Sequence, residues 1–237
     1  QEIPTPVATV PENPENNVVA EVEASETESE KPTIDLLEIL QNPEISSDME
    51  SAFVTLFQKW QLDYLSLAGT TACERASKKG LACLHRTGSW EDIRHFNRPT
   101  VIELMTRDGK QYHTVITELK GETATLNFSG KTFELPLHDI NNYWLGQFLL
   151  LWQPPNLPIP LLKVGMTSKD VIWVRKLLNI HEKQDKVSTS LSTRFDSVLK
   201  TRVMAFQRDF GLKPDGIIGE QTFLMLSTSS EEQPSLR

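Results

Sequence analysis

Five histidines and two cysteines in 237 residues are the first places to look for covalent chemistry. Cys73 stands at the start of a predicted helix, where the helix dipole would draw a thiol toward thiolate. His113 follows on a predicted strand and Asn127 on the next one. A thiolate that attacks, an imidazole that acts as base and an amide that orients it require these residue types. Cys83 opens other fates for Cys73, because the pair could form a disulfide or remain two buried thiols. In an oxidising compartment the disulfide is favoured, closing a short loop for ~2–3 kcal/mol of chain entropy. Glu74 beside Cys73 also disfavours a thiolate. Two thiols are too few for a four-ligand zinc site, and His85, His95, His138 and His181 lack metal-ligand spacing. No metal or cofactor is expected.

A second group of polar residues gathers near the C-terminus. Asp215-Gly216-Ile217-Ile218-Gly219-Glu220-Gln221-Thr222 reads as a tight, glycine-flanked loop leading into a short helix. Backbone N–H groups at the Gly219 helix start could donate to a carboxylate. Thr222 and Gln207 can hydrogen-bond a ligand, and Arg175 or Arg202 can add charge. The same residues have a structural reading. Asp215, Gly216 and Gly219 can simply build the turn, and Gln207 can tie helices together.

Which elements would position these groups? A short helix carries Leu36, Leu37 and Leu40, opened by Pro32-Thr33. Ser47-Asp48-Met49-Glu50 has capping-box spacing ahead of Met49, Phe53, Leu56, Phe57 and Trp60, an amphipathic helix. A third helix runs from Thr71 to Lys79 and stops at Gly80. Ser89 to Asp92 starts another short turn. Strands follow over 101–105, 112–119, 123–128, 131–135 and 146–152, with turns at Asp108-Gly109, Lys120-Gly121-Glu122 and Ser129-Gly130. Helices followed by an antiparallel meander give an α+β class. In the C-terminal third, Thr167 and Asp170 form a Thr-x-x-Asp cap variant for a helix burying Val171, Val174 and Leu178. Asp196 caps a second helix with Leu199, Val203, Phe206 and Phe210 inward, ended by Gly211. Phe223, Leu224 and Leu226 mark a third.

The domain plan is then an acidic, Pro-rich spacer over 1–32, an α+β domain over 33–153, a proline-rich linker over 154–160, a three-helix domain over 161–227 and a tail over 228–237. The net charge is −8, and residues 1–33 hold eight glutamates against one lysine. A segment so polar cannot bury enough surface to offset its ordering entropy, and its prolines and repelling charges favour extension. Residues 161–227 hold eleven Lys/Arg against seven Asp/Glu, a modest basic excess suited to an acidic polymer. The overall acidity argues against nucleic acid. No apolar run approaches the ~20 residues of a membrane span, and no Met-plus-basic signal start is present. A soluble piece of a larger protein is expected.

Val164-Gly165-Met166, Leu177-Leu178, Ala205-Phe206-Gln207, Gly211-Leu212 and Asp215-Gly216-Ile217-Ile218-Gly219 with Thr222 resemble the three-helix peptidoglycan-binding domain of bacteria. Phe195-Asp196 stands where that family often has Phe-Gly. The resemblance implies cell-wall binding, with Arg175, Arg202, Gln207, Asp215, Gly216, Gly219 and Thr222 as candidate contacts. The Cys73, His113, Asn127 order resembles the bacteriocin-processing, papain-like cysteine peptidases, with Leu67 where those enzymes place an oxyanion-hole Gln and Glu74 where they place Gly. These departures point to an inactive peptidase-like domain; an active wall-targeted cysteine peptidase is the alternative. A hydrolase fragment is less suited, since neither zinc ligands nor a carboxylate pair is present. The acidic leader, Gly80-Leu81-x-Cys83, Asn97-Arg98-Pro99, Phe148 to Trp152 and the helical domain together resemble the periplasmic region of the general secretion pathway protein A family. That resemblance implies a periplasmic part of an inner-membrane protein whose ATPase domain is cytoplasmic. It also implies peptidoglycan and the inner-membrane protein B as partners, and support for assembly of the type II secretion secretin. Homo-oligomers on the wall would suit such a factor, although no heptad pattern marks them.

Overall fold

The computed structural model describes residues 35–183, 192–230 and 232–236. The predicted acidic spacer lies outside the described residues, as does the Pro32-Thr33 start of the first helix. Helix α1 (Leu36–Gln41) instead takes Asp35 as its cap, whose side chain accepts from the Leu37 amide.

Helix α2 (Met49–Lys59) starts one residue later than the capping box predicts. Asp48, not Ser47, is the cap, its carboxylate accepting from the Ser51 amide at 2.9 Å and the Ser51 hydroxyl at 2.7 Å. Those bonds hold the Asp48 carboxyl below the usual carboxylate range. A 3-10 turn (Tyr64–Ser66) leads to α3 (Ala72–Ser77), closed by a Thr71/Glu74 capping box. Strand β1 (Ala82–Thr87) follows, then α4 (Trp90–Phe96), capped by Ser89 and Asp92.

Strands β2 (Thr100–Met105), β3 (Gln111–Lys120), β4 (Thr123–Phe128) and β5 (Lys131–Pro136) form the expected meander, and a four-residue α5 (Leu137–Ile140) precedes β6 (Trp144–Trp152). The sheet is antiparallel throughout, in the order β1-β6-β2-β3-β4-β5. The last strand therefore does not simply close the meander. It inserts between β2 and β1, a strand the alternation of the sequence did not reveal. Gly146 permits the close crossing: its φ is +91°, and a Cβ there would lie 2.7 Å from the Gly88 carbonyl oxygen. The Gly88 amide donates to the Gly146 carbonyl at 2.9 Å.

The central strands are buried on both faces. Val101, Val115 and Leu151 face Ala52, Leu56 and Phe57 of α2 and Ala72 and Ala76 of α3. Ile102, Ile116, Phe148, Leu150 and Trp152 point the other way, into a larger cluster. That cluster runs on without a break into the three C-terminal helices, α6 (Asp170–His181), α7 (Ser197–Asp209) and α8 (Glu220–Ser227). Val171, Val174 and Leu178 of α6, Leu199, Val203 and Phe206 of α7, and Phe223 and Leu226 of α8 are buried within it. Asp196 caps α7 as the sequence predicts, accepting from the Leu199 amide at 2.7 Å. The α6 cap differs: Thr167 is in a bridge with Arg194, and the Ser168 hydroxyl accepts from the Asp170 amide.

One buried side chain ties the sheet to the end of α8. Arg98 is fully buried, and its guanidinium donates to the carbonyls of Ser227 at 2.6 Å, Asn97 at 3.1 Å and Pro234 at 3.3 Å. Among the described residues no carboxylate is a hydrogen-bond partner of this guanidinium. Burial pulls the guanidinium down to about 10, so it stays protonated at neutral pH.

Candidate functional site

The loop before α8 is built from its own polar residues. The Asp215 carboxylate accepts from the Ile217 amide at 2.9 Å, and this bond leads those that hold it below the usual carboxylate range. Gly216 has φ +71°, and a Cβ there would come within 2.6 Å of the Lys200 side chain, so the turn requires glycine. Gln207 reaches in from α7 and is almost fully buried. Its Nε2 donates to the Ile217 carbonyl at 2.9 Å and the Thr222 hydroxyl at 3.2 Å, while its Oε1 accepts from the Gly216 amide at 2.9 Å. Leu162 and Ile218 exchange two backbone hydrogen bonds of 2.9 Å that pin the far side of the loop. The loop is thus fixed before any ligand arrives.

Gln207, Asp215, Gly219 and Thr222 border one pocket of about 350 Å³. Gly219 is the N-cap of α8 and supplies no side chain, so the first amides of that helix are free of a side-chain cap. Such an end favours an anionic or hydrogen-bond-accepting group. The pocket also recruits Lys213, Glu220 and Gln221, with apolar floor from Leu161, Leu212 and Ile217. These flank the glycine loop in sequence, and proximity to it was the available signal. The two predicted arginines stand elsewhere. Arg175 donates to the carbonyls of Ser192 and Arg194 and pairs with Asp196 at 2.7 Å. Arg202 meets Glu182 through two 2.9 Å bonds and Asn179 at 2.7 Å. Both are struts between segments that close the helical bundle, and neither lines the pocket.

The sheet holds a smaller cavity of about 180 Å³, with His113, His85 and Glu103 set among Met49, Phe53, Val101 and Leu149. Among the described residues His113 Nε2 has no hydrogen-bond partner, and the nearest carboxylate oxygen, Glu103 Oε2, is 3.7 Å away. Burial lowers the imidazole's pKa, against the opposing pull of Glu103 and Asp48. The predicted alternative triad does not assemble here. Cys73 Sγ is bonded to Cys83 Sγ across a Cα separation of 5.5 Å, linking α3 to β1, and no free cysteine remains. The helix whose start meets β3 is α2, where the His113 amide donates to the Ser47 carbonyl at 2.6 Å. That helix brings Met49 and Phe53 to the cavity, and no thiol. Asn127 is committed to a turn, its Oδ1 accepting from the Gly130 amide at 2.7 Å. Among the described residues no group of three or more His, Cys, Asp or Glu could hold a metal ion, and no helix is long and apolar enough to cross a membrane.

Residues 167–226 match the family model described as a peptidoglycan binding domain. Over 190 residues, 79% of its length, the chain is 27% identical to the general secretion pathway protein A of Aeromonas hydrophila, covering 34% of that protein. A relative in Escherichia coli (strain K12), provisionally given the same name, is 24% identical over 177 residues, 74% of this chain and 35% of that one. The chain thus spans about a third of the length of the curated relatives it matches. Its fold is shared with a periplasmic domain of the EpsAB fusion protein of the Vibrio vulnificus type II secretion system, at a TM-score of 0.60 and 20% identity, over 82% of this chain and 85% of that one.

Proposed function

We propose that the chain binds peptidoglycan in the periplasm, without catalysis, as part of a type II secretion apparatus. The observation that carries this reading is the match of residues 167–226 to a peptidoglycan binding domain whose glycine loop frames a preformed pocket. Free α8 amides and Lys213 suit stem-peptide carboxylates, while Asp215 and Gln221 suit amides and hydroxyls. A rigid loop loses little freedom on binding, which favours affinity. The disulfide fits an oxidising compartment and supports the non-catalytic reading, because it occupies the thiol a peptidase would use. The sheet domain then acts as a scaffold held at the wall. The A–B fusion in the Vibrio vulnificus neighbour supports the pathway's inner-membrane protein B as its partner; a role in assembling the outer-membrane secretin follows only from the resemblance to the general secretion pathway protein A family.

The test is co-sedimentation with purified sacculi. Gln221 is exposed at the mouth of the pocket. Gln221→Trp should fill the mouth without disturbing the core and reduce sedimentation at least tenfold. Equal sedimentation of wild type and variant would overturn the assignment of the pocket. Thiol titration of the unfolded, unreduced protein should find no free sulfhydryl; a reactive thiol would instead revive the peptidase reading.

A further inference from the structure

A second cleft, about 330 Å³, opens where the C-terminal helices meet the sheet. Leu212, Glu220 and Gln221 border both this cleft and the pocket at the Asp215 loop. The first turn of α8 therefore borders both hollows, and the second is also walled by Arg86 and Asp92 of the sheet domain. We propose that the peptidoglycan site is composite: a stem peptide lying in the Asp215 pocket crosses the start of α8, and Arg86 of β1 takes one of its carboxylates. This inference rests on the peptidoglycan-binding reading above and names which part of the polymer is recognised.

Three observations support it. The first is the state of Arg86. Its side chain is 41% exposed, it makes no hydrogen bond within the described protein, and its only ionic neighbour, Asp92, is at 4.0 Å. Arg175 and Arg202, by contrast, each donate three hydrogen bonds and pair closely with a carboxylate. Arg86 lies against the Phe96 ring, 5.8 Å from its centroid, which limits its wandering and leaves its hydrogen-bonding edge for a ligand. A planar guanidinium so placed suits the bidentate grip of a carboxylate, a group the stem peptide has and the neutral glycan hydroxyls lack.

The second is fit. A four-residue peptide spans about 13 Å when extended, and a helix with its side chains is about 10–12 Å across. One stem is long enough to cross the first turn of α8 with its ends in the two hollows. The cleft also offers Asp92 and Glu220 carboxylates, partners for the ammonium of a diamino-acid residue in the stem. The third is rigidity. Arg98 binds the Ser227 carbonyl at the other end of α8, and the helices share the sheet's core. The two walls are held at a set spacing, so the composite site exists before binding.

The experiment is calorimetric titration of the whole chain with a purified disaccharide-tetrapeptide, and with the same muropeptide carrying amidated stem carboxylates. Arg86→Gln keeps shape and removes charge at an exposed position that carries no fold contact by hydrogen bond. It should weaken the acidic muropeptide about tenfold or more, and leave the amidated ligand bound equally by variant and wild type. Equal affinity of wild type and Arg86→Gln for the acidic muropeptide, with binding still abolished by Gln221→Trp, would overturn the composite site and leave the Asp215 pocket standing. Loss of both ligands to the same degree in Arg86→Gln, with an unchanged urea midpoint, would also overturn the carboxylate assignment. Failure of wild type to bind muropeptide or sacculi would overturn both readings together.

Discussion

Replacing Arg98 with methionine should destabilise the chain by about 3 kcal/mol, and the reason is a balance of two opposed quantities. Burial lowers the guanidinium from its ordinary value to about 10, so holding its charge in place costs about 3 kcal/mol at neutral pH. Against this stand three hydrogen bonds from a charged donor, to Asn97, Ser227 and Pro234, each worth roughly 1.5–3 kcal/mol. Methionine removes both, but it leaves the Ser227 and Pro234 carbonyls facing an apolar group, so the loss wins. The folded-state value lies below the free one, so in the window from about pH 10 up to the free value the unfolded chain holds a proton the native one has released. Wild-type stability should therefore gain on the methionine variant in that window, and their difference should be flat below it. Urea unfolding followed by tryptophan fluorescence reads this well, because Trp152 is fully buried. A variant within about 0.5 kcal/mol of wild type would refute the idea that Arg98 joins sheet to helix.

Two further outcomes are expected. Removing the disulfide with Cys73→Ser and Cys83→Ser should cost about 2.7 kcal/mol for a separation of ten residues; dithiothreitol should lower the wild-type urea midpoint to the variant's and leave the variant's unmoved. His113 has a folded-state pKa below its free value of 6.5. Its contribution is thus intact above pH 6.5 and lost as pH falls from there through the folded value. His113→Gln should flatten the decline of urea stability between pH 6.5 and 5, and an unchanged slope would show that the cavity hydrates the imidazole freely.

Much of this arrangement was legible because it is periodic. The apolar faces of α2, α6 and α7, the Asp108-Gly109 and Ser129-Gly130 turns and the glycine loop at Asp215 are local patterns, and local physics sets them. β1 was missed because Leu84, His85 and Arg86 lie on an edge strand, paired on one side only and exposed toward its end. The cap positions slipped by a residue where two acceptors compete, as at Ser47 and Asp48. Gln207, Asp215, Gly219 and Thr222 do meet at one pocket, whereas the two arginines stand apart for a different reason. Arg175 and Arg202 look like free cations along the chain, yet Asp196 and Glu182, some twenty residues away, neutralise them. The favoured Cys73–Cys83 pairing is local and is found, whereas the alternative of Cys73 beside His113 needs a long-range approach that packing gives to α2 instead. Charge type is written locally; who answers it is decided by the fold.

The place of β6 carries a consequence for how the chain is made. It is the last strand in sequence and lies near the middle of the sheet, between β1 and β2. Until residue 152 is available, β1 has no neighbour and β2 has one open edge. The β2–β5 meander and the Cys73–Cys83 loop are local and can form early. The closing step must instead join segments about sixty residues apart, and pairings of such long range form slowly. A chain crossing a membrane in stretched form, N-terminus first, would thus emerge with two unpaired strand edges waiting for β6. Those edges are where a nascent copy is exposed to pairing with another, and early oxidation of the cysteines would shorten the wait by holding α3 against β1.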